Sequence, residues 1–339
     1  MIGSTCIASR HACLLFILAL SVCGARASCG SDFCAINTQW DTHGLSKTEG
    51  FSLDLRYSQA RADQLRAGST RIRPEAPSGS DAEIEDRRTI NNLLNIDTDY
   101  AINERWSVAM SVPIVMRDHS HTFDSSISGP FQQQAKFTAI GDMRVIAKYQ
   151  LSGASLTGGG GIRFGLKLPT GSIDKTMSPA DPANPSTPYR LERSGQPGSG
   201  STDVVLGLYR FGGAPASNWG WFISGEMQAA AATRDNYRPG RLANLDLGLN
   251  YAFSSVLSGT VQLNAKHRAR DSGSNANVAS GGRTVGLGPG LVLSVTPQTK
   301  LYGFLQKNLR QTVNTDSADP ASGQLTAPGA VAIGINHSF

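Results

Sequence analysis

The chain has 339 residues, 40% of them apolar and 17% charged, with 37 glycines and a mean hydropathy of -0.20. Beyond the N-terminus no apolar run approaches the ~20 residues that a membrane-crossing helix needs, which excludes a helical membrane bundle. The formal net charge of +5 is too small a surplus to argue for nucleic acid as a partner.

Residues 1–27 read as an export signal that is cleaved away. Arg10 and His11 precede the apolar stretch 12–22, and Ala25-Arg26-Ala27 puts small residues at the two positions that a signal peptidase reads. A cut after Ala27 removes Arg10 and Arg26, so 29 of the 31 basic residues face 26 acidic ones, about +3. It also removes three of the five cysteines. Cys29 and Cys34 remain, close together in an exported chain, and predict a local disulfide. A metal site would want two further ligands at suitable spacing. Residues 28–49 carry this pair and Trp40 without periodicity, as a periplasmic or lumenal segment: a tail on one reading, a plug on the other.

From residue 50 to 339 the dominant pattern has period two, the mark of strands with one apolar face. In chain order the apolar sets are Phe51, Leu53, Leu55, Tyr57; Leu94, Ile96, Thr98, Tyr100; Trp106, Val108, Met110, Val112, Ile114, Met116; Met143, Val145, Ala147, Tyr149; and Ile162, Phe164, Leu166, Leu168. Then come Val204, Leu206, Leu208; Trp219, Trp221, Ile223; Leu245, Leu247, Leu249, Tyr251; Leu257, Val261, Leu263; and Val285, Leu287, Leu291, Leu293. A strand near 300–309 has ambiguous register, and Val331, Ile333, Ile335 lead to the end, about twelve strands in all.

The connections alternate between short and long. Short turns fall at 103–105, 152–157, 212–218, 254–256 and 296–299, and longer Gly-, Ser-, Asp-, Asn- and Pro-rich loops at 66–86, 119–136, 171–201, 231–240, 271–281 and 311–323. Sorting of this kind predicts a transmembrane antiparallel up-and-down β-barrel of all-β class, placed in the cell outer membrane with both ends in the periplasm. A soluble sandwich has no reason to sort its loops so. Tyr100, Trp106, Tyr149, Trp219, Trp221, Tyr251 and Phe253 all fall on strand ends beside short turns and Phe339 at the end of the last strand, which predicts one aromatic girdle at the periplasmic interface.

The opposite face carries Arg117, Asp142, Arg144, Lys148, Arg163, Lys167, Glu226, Asp246, Lys266 and Arg268, and these are the expected lumen-lining residues. Gly286, Gly288 and Gly290 share that face and leave room or allow curvature. The final strand has Gly334, His337 and the terminal Phe339 spaced as the signal that the barrel-assembly machinery reads, although His337 stands where an aromatic or aliphatic residue is usual.

Three local motifs carry a resemblance. Gly165-Leu166-Lys167-Leu168-Pro169-Thr170-Gly171, Gly141-Asp142-Met143-Arg144 and the run from Gln196 to Asp203 are similar to recurring segments of the outer-membrane family named for the MetA pathway of phenol degradation. The resemblance implies a barrel-forming transport protein and passage of small aromatic or hydrophobic compounds. It carries over no substrate and no functional residue.

Catalytic and metal readings are weaker. Asp118-His119-Ser120-His121 offers two imidazoles and a carboxylate, but adjacent polar residues at a strand end are commoner than a metal site. A lipid hydrolase embedded in the barrel would need Ser and His on one face; no Ser lies two positions from His267, and Ser120 faces away from His119 and His121. Glycines 158–161 and 198–200 lack the Lys-Ser/Thr pair or helix of a phosphate loop.

The expected function is an outer-membrane channel or transporter for small solutes, anionic or aromatic, without enzyme activity or cofactor. A weak anionic preference comes from Arg117, Arg144, Lys167 and Arg268, which the strand pattern puts at similar height, with Asp142, Glu226 and Asp246 near enough to neutralise part of the ring, since rings of Arg and Lys favour anions. Outer-membrane lipid, the barrel-assembly machinery and small-molecule solutes are the expected partners. A closed structural or adhesive barrel is the first alternative and a barrel-embedded lipid hydrolase the second. Intact-mass measurement of envelope protein before and after reduction should show an N-terminus at Ser28 and a two-hydrogen gain from the Cys29–Cys34 bond. Free thiols without reductant overturn the pairing.

Overall fold

A run that alternates apolar and polar residues can hide one face only by pairing edge to edge with neighbours. In this chain the pairing goes all the way round. The structure is a computed structural model that describes residues 36–40, 50–73, 82–155, 158–182, 185–213, 217–317 and 323–339, and the statements below concern these. The expected signal peptide, Cys29 and Cys34 lie outside the described residues.

The first strand, β1 (Gly50–Ala62), is followed by the short β2 (Gln64–Ala67) and β3 (Thr70–Arg71), then by the long hairpin of β4 (Ala82–Ala101) and β5 (Trp106–Ser125). Next come β6 (Gly129–Ile140), β7 (Arg144–Ser155) and β8 (Gly158–Lys167). The connection after β8 holds the two-residue strands β9 (Thr176–Met177) and β10 (Tyr189–Arg190) and a single 3-10 turn at Arg193–Gly195. The chain continues through β11 (Thr202–Gly213), β12 (Trp219–Ala232), β13 (Leu242–Ala252), β14 (Leu257–Arg268), β15 (Gly282–Ser294) and β16 (Thr299–Val313). It ends with the short β17 (Gln324–Thr326) and with β18 (Gly329–Ser338).

Twelve of these strands pair antiparallel in sequence order, and β1 pairs with β18 to close the barrel, Ser52 opposite Ser338 through Ala60 opposite Ala330. The extra strand is β6. It runs along the outer half of β5, Ile114 opposite Ile140, while β7 takes the other half of the same edge, Trp106 opposite Tyr149 and Ser111 opposite Arg144. Residues 141–143 leave the ladder between them.

The solvent pattern is inside out. Leu206, Leu208, Leu249 and Ile333 on the outer face are 56–64% exposed, whereas Gln262, Asn264, Arg163 and Thr89 on the inner face are at most 2% exposed. An outer aliphatic band with a polar interior is what lipid selects in a barrel. Aromatic rings gather at the short-turn end: Trp106 lies 4.8 Å from Tyr149, Trp219 4.7 Å from Tyr251 and Phe51 5.5 Å from Phe339, all tilted, and Tyr251 meets Phe253 edge-on at 5.2 Å.

Two expected loops prove shorter. The ladder between β4 and β5 runs out to Ala82 opposite Asp124, and β5 with β6 extends to Ser125 opposite Gly129, so much of 66–86 and 119–136 is strand. Polar residues on both faces there erase the period-two signal, while backbone pairing and contacts such as Phe123 with Phe131 at 5.8 Å hold the hairpin. The ambiguous strand, β16, points Leu301, Leu305 and Leu309 outward and Tyr302, Phe304 and Gln306 inward. Its aromatics are interior, which inverts the usual pattern. They lie flat because glycines face them: a Cβ at Gly290 would come within 2.2 Å of Phe304 and one at Gly334 within 2.3 Å of Tyr302.

Leu247 sits mid-strand on the outer face of β13. Leu247→Arg should destabilise the barrel in bilayers by about 2–4 kcal/mol, read from reversible urea unfolding in vesicles. A cost below about 0.5 kcal/mol would mean this face does not meet hydrocarbon.

Candidate functional site

The inner face lines a half-open cavity of about 290 Å³ bordered by β1, β4, β5, β7, β8, β12, β13, β14 and β18 and by residues 36–40. Its charges are arranged in pairs. Arg144 meets Glu226 at 2.5 Å, Lys148 meets Asp99, and Arg56 lies 3.8 Å from Asp97. Arg163 donates to Ser224 at 3.2 Å and covers the ring of Tyr209 at 5.1 Å. Asp246 accepts from Asn264 at 2.7 Å and from Asn37 at 3.1 Å.

The segment 36–40 lies inside the barrel. The Asn37 backbone N–H donates to Gln262 Oε1 at 3.1 Å, and Gln262 Nε2 returns a bond to the Asn37 carbonyl at 2.9 Å. Further along, the Trp40 indole donates to Asp54 Oδ2 at 2.8 Å and packs edge-on against Tyr302 at 5.0 Å. Ile36, Trp40, Val292, Tyr302, Phe304 and Ala332 form one buried apolar cluster against the β15–β16–β18 wall. Ile36 also takes the room that Gly288 leaves, 3.4 Å from where a Cβ would stand.

The three sequence motifs converge on Lys167. Its ammonium lies 2.8 Å from Asp142 and 3.3 Å from Asp203, and it donates to Ser199 and, at 3.2 Å, to Ser201. Asp142 also accepts from the backbone N–H groups of Gly171 at 3.1 Å and Ser199 at 2.9 Å. A single buried cation therefore ties the break between β6 and β7 to both ends of the loop 168–201.

That loop folds over the long-loop end. Met177 and Leu191 pack against Ala135 of β6, and Gln134 and Ser178 exchange backbone hydrogen bonds at 2.8 Å. Arg117 of β5 donates to Asn91 at 2.7 Å and to the carbonyls of Gly195 and Gln196. Arg193 reaches Asp235 at 3.1 Å and covers the Tyr237 ring at 4.9 Å. Tyr237 donates to Asp271 at 2.8 Å, and burial raises its phenol above the ordinary range, so it stays a donor. Arg268 meets Asp271 at 3.1 Å, and Asn277 returns to Glu192 at 2.7 Å.

Of the expected lumen-lining set, Arg144, Lys148, Arg163, Glu226 and Asp246 border the cavity. Arg117, Asp142, Lys167 and Arg268 instead hold the loops at the mouth, and Lys266 lies half-buried opposite Asn244 and Thr284. Two of the four cations meet carboxylates of the same set, Arg144 with Glu226 and Lys167 with Asp142. His119 and His121 point inward, bonded to Thr89 at 2.8 Å and Gln133 at 3.0 Å, while Asp118 meets Gln134 at 2.7 Å. Among the described residues no three His, Cys, Asp or Glu side chains gather as a metal site requires. On the last strand His337 bonds Thr299 at 2.9 Å and meets Phe339 edge-on at 4.6 Å.

Asn37, Asp54, Tyr302 and Phe304 were not singled out from the sequence. Asp54 was legible, since it sits between outward Leu53 and Leu55 and so must face inward. The others needed the three-dimensional contact.

A closed antiparallel barrel, apolar without, ringed by aromatics and charged within, is a transmembrane barrel of the outer-membrane class. The chain belongs to the family described as "Putative MetA-pathway of phenol degradation", whose profile matches residues 89–315 and so spans all three motifs. Its fold is similar to the crystal structure of an outer membrane channel from Pseudomonas putida F1, with 13% identity, 90% of this chain and 100% of that chain covered and a TM-score of 0.62. The Pseudomonas putida toluene transporter TodX aligns at 10% identity over 93% of this chain and 96% of its own, with a TM-score of 0.47. No curated protein matches the sequence.

Lys167→Met should strand two carboxylates, Asp142 and Asp203, each at most 9% exposed. Removing one partner of a buried pair costs about 3–5 kcal/mol, measurable by denaturant unfolding, and Asp203→Asn in the same chain should recover part of the loss. Unchanged stability of Lys167→Met would show that the knot contributes nothing.

Proposed function

We propose that the barrel is an outer-membrane channel for small aromatic solutes, with the short turns in the periplasm and the long loops outside. The observation that carries this reading is the half-open lumenal cavity, lined by paired charges and by Trp40, whose ring packs in one buried cluster with Tyr302 and Phe304. Its size fits: a cavity of roughly 150 Å³ holds a benzene ring, so 290 Å³ admits a substituted one and excludes polymers. Family membership and the barrel shared with the Pseudomonas putida channel support a transport role.

The electrostatics favour neutral or weakly polar solutes over anions. Rings of unpaired cations select anions. Here Arg144, Lys148 and Lys167 are each neutralised within a few ångströms, so little net field remains in the lumen.

The test is a planar bilayer under a tenfold salt gradient. The reversal potential should stay near zero, and Glu226→Gln, which releases Arg144 from its partner, should shift it toward the anion value. A reversal potential of the unaltered protein shifted toward the anion value would restore the cation-ring reading, and complete absence of conductance would favour the closed barrel.

A further inference from the structure

The seat of Trp40 has the form of a ligand site. Its ring is held edge-on by Tyr302 at 5.0 Å, with the Lys300 ammonium 5.8 Å from its centroid and Val292, Phe304 and Ala332 in the same buried cluster. Its one polar atom, the indole N–H, is met by Asp54 Oδ2 at 2.8 Å. The other carboxylate oxygen is taken by the Tyr302 hydroxyl at 2.6 Å, which fixes the acceptor in place. The cavity borders both Trp40 and Asp54, so a solute in it reaches the seat directly.

The occupant comes from a segment that contributes no strand to the wall. The described residues 36–40 reach the wall through Asn37, bonded to Gln262 and Asp246, and through Ile36, which packs in the same buried cluster as Trp40. A side chain that meets the wall by non-covalent contacts can give way to a ligand that makes the same contacts.

We propose that this seat is a solute-binding site which the chain fills with its own indole, and that the solutes it takes are aromatic rings bearing one hydrogen-bond donor, an aryl hydroxyl or a ring N–H. Displacing Trp40, such a ring donates to Asp54, lies against Tyr302 and receives Lys300 over its face. The fixed carboxylate repels aromatic carboxylates. A plain hydrocarbon ring leaves the carboxylate without the donor that Trp40 supplied, and a buried acceptor left without its partner weakens binding. The physiological meaning rests on the channel reading; the chemistry of the seat rests on its geometry.

The experiment uses the purified full-length barrel in detergent, with indole and 1-methylindole as probes. The two have nearly the same shape, and only indole has the donor. Calorimetric titration of Trp40→Ala should show indole binding at least tenfold tighter than to the unaltered protein, and at least tenfold tighter than 1-methylindole. Asp54→Leu added to Trp40→Ala should abolish the preference between the two probes. Folding of each variant is scored by heat-modifiable gel mobility. Should Trp40→Ala not fold, Trp40→Phe keeps the packing, loses the bond to Asp54, and should bind indole at least threefold tighter than the unaltered chain. Equal indole affinity with and without Trp40, or equal affinity for the two probes, overturns the proposal. Conductance is measured separately: binding as stated without conductance refutes the channel and leaves the site, and conductance without gained binding does the reverse.

Discussion

Hydrocarbon cannot hydrogen-bond, and that one fact governs the rest of this structure. Each backbone N–H and C=O at membrane depth has to find its partner within the protein, at a cost of several kcal/mol if it does not. Strands satisfy this only when the sheet has no edge, and so the first strand must meet the last. The pairing of β1 with β18 is therefore a condition of the fold. Once the sheet is closed, the period-two alternation has only one arrangement open to it, with leucines and isoleucines toward lipid and the polar residues confined to the interior.

Confinement is what shapes the interior. Arg, Lys, Asp and Glu side chains brought into a narrow space of reduced dielectric attract one another strongly, and any left unmatched is expensive. The wall solves this by matching cations with anions on other strands, as Arg144 of β7 does with Glu226 of β12 over the two strands between them and Lys148 with Asp99. At the mouth the same economy joins loops: Lys167, Arg117 and Arg193 each bind a segment remote in sequence. The extra strand β6 is where wall gives way to mouth, and the Lys167 knot sits at that transition.

Much of this was legible in the sequence because alternation and turn length are local properties. Leu206 and Leu208 announce a lipid face by themselves, and Trp106 beside a three-residue turn announces an interface. What was not legible is what depends on distance. Asp142, Lys167 and Asp203 were each visible in a motif, but nothing in their spacing says that they meet. The cations of the inner face could be counted from parity, whereas their pairing partners could not. Trp40 lies in a segment without periodicity, and Tyr302 with Phe304 points inward on a strand whose leucines alone suggest a face. An apolar cluster assembled from Ile36, Trp40, Tyr302 and Phe304 is a product of closure, which brings the two ends of the barrel sheet together.

The position of the segment 36–40 bears on the order in which the barrel is made. The seam between β1 and β18 joins strands nearly the whole chain apart, the contact with the largest loop to close and hence the slowest kind to form. The segment precedes β1, one lip of that seam, in the sequence, yet its amide clamp grips β13 and β14 on the far wall. An open, curling sheet can receive it sideways; a finished barrel can receive it only lengthwise, by threading. Zipping the seam last would thus capture the segment as a by-product of closure, so that the state in which the protein is released into the membrane is set by which side of the curling sheet a few residues occupy at that moment.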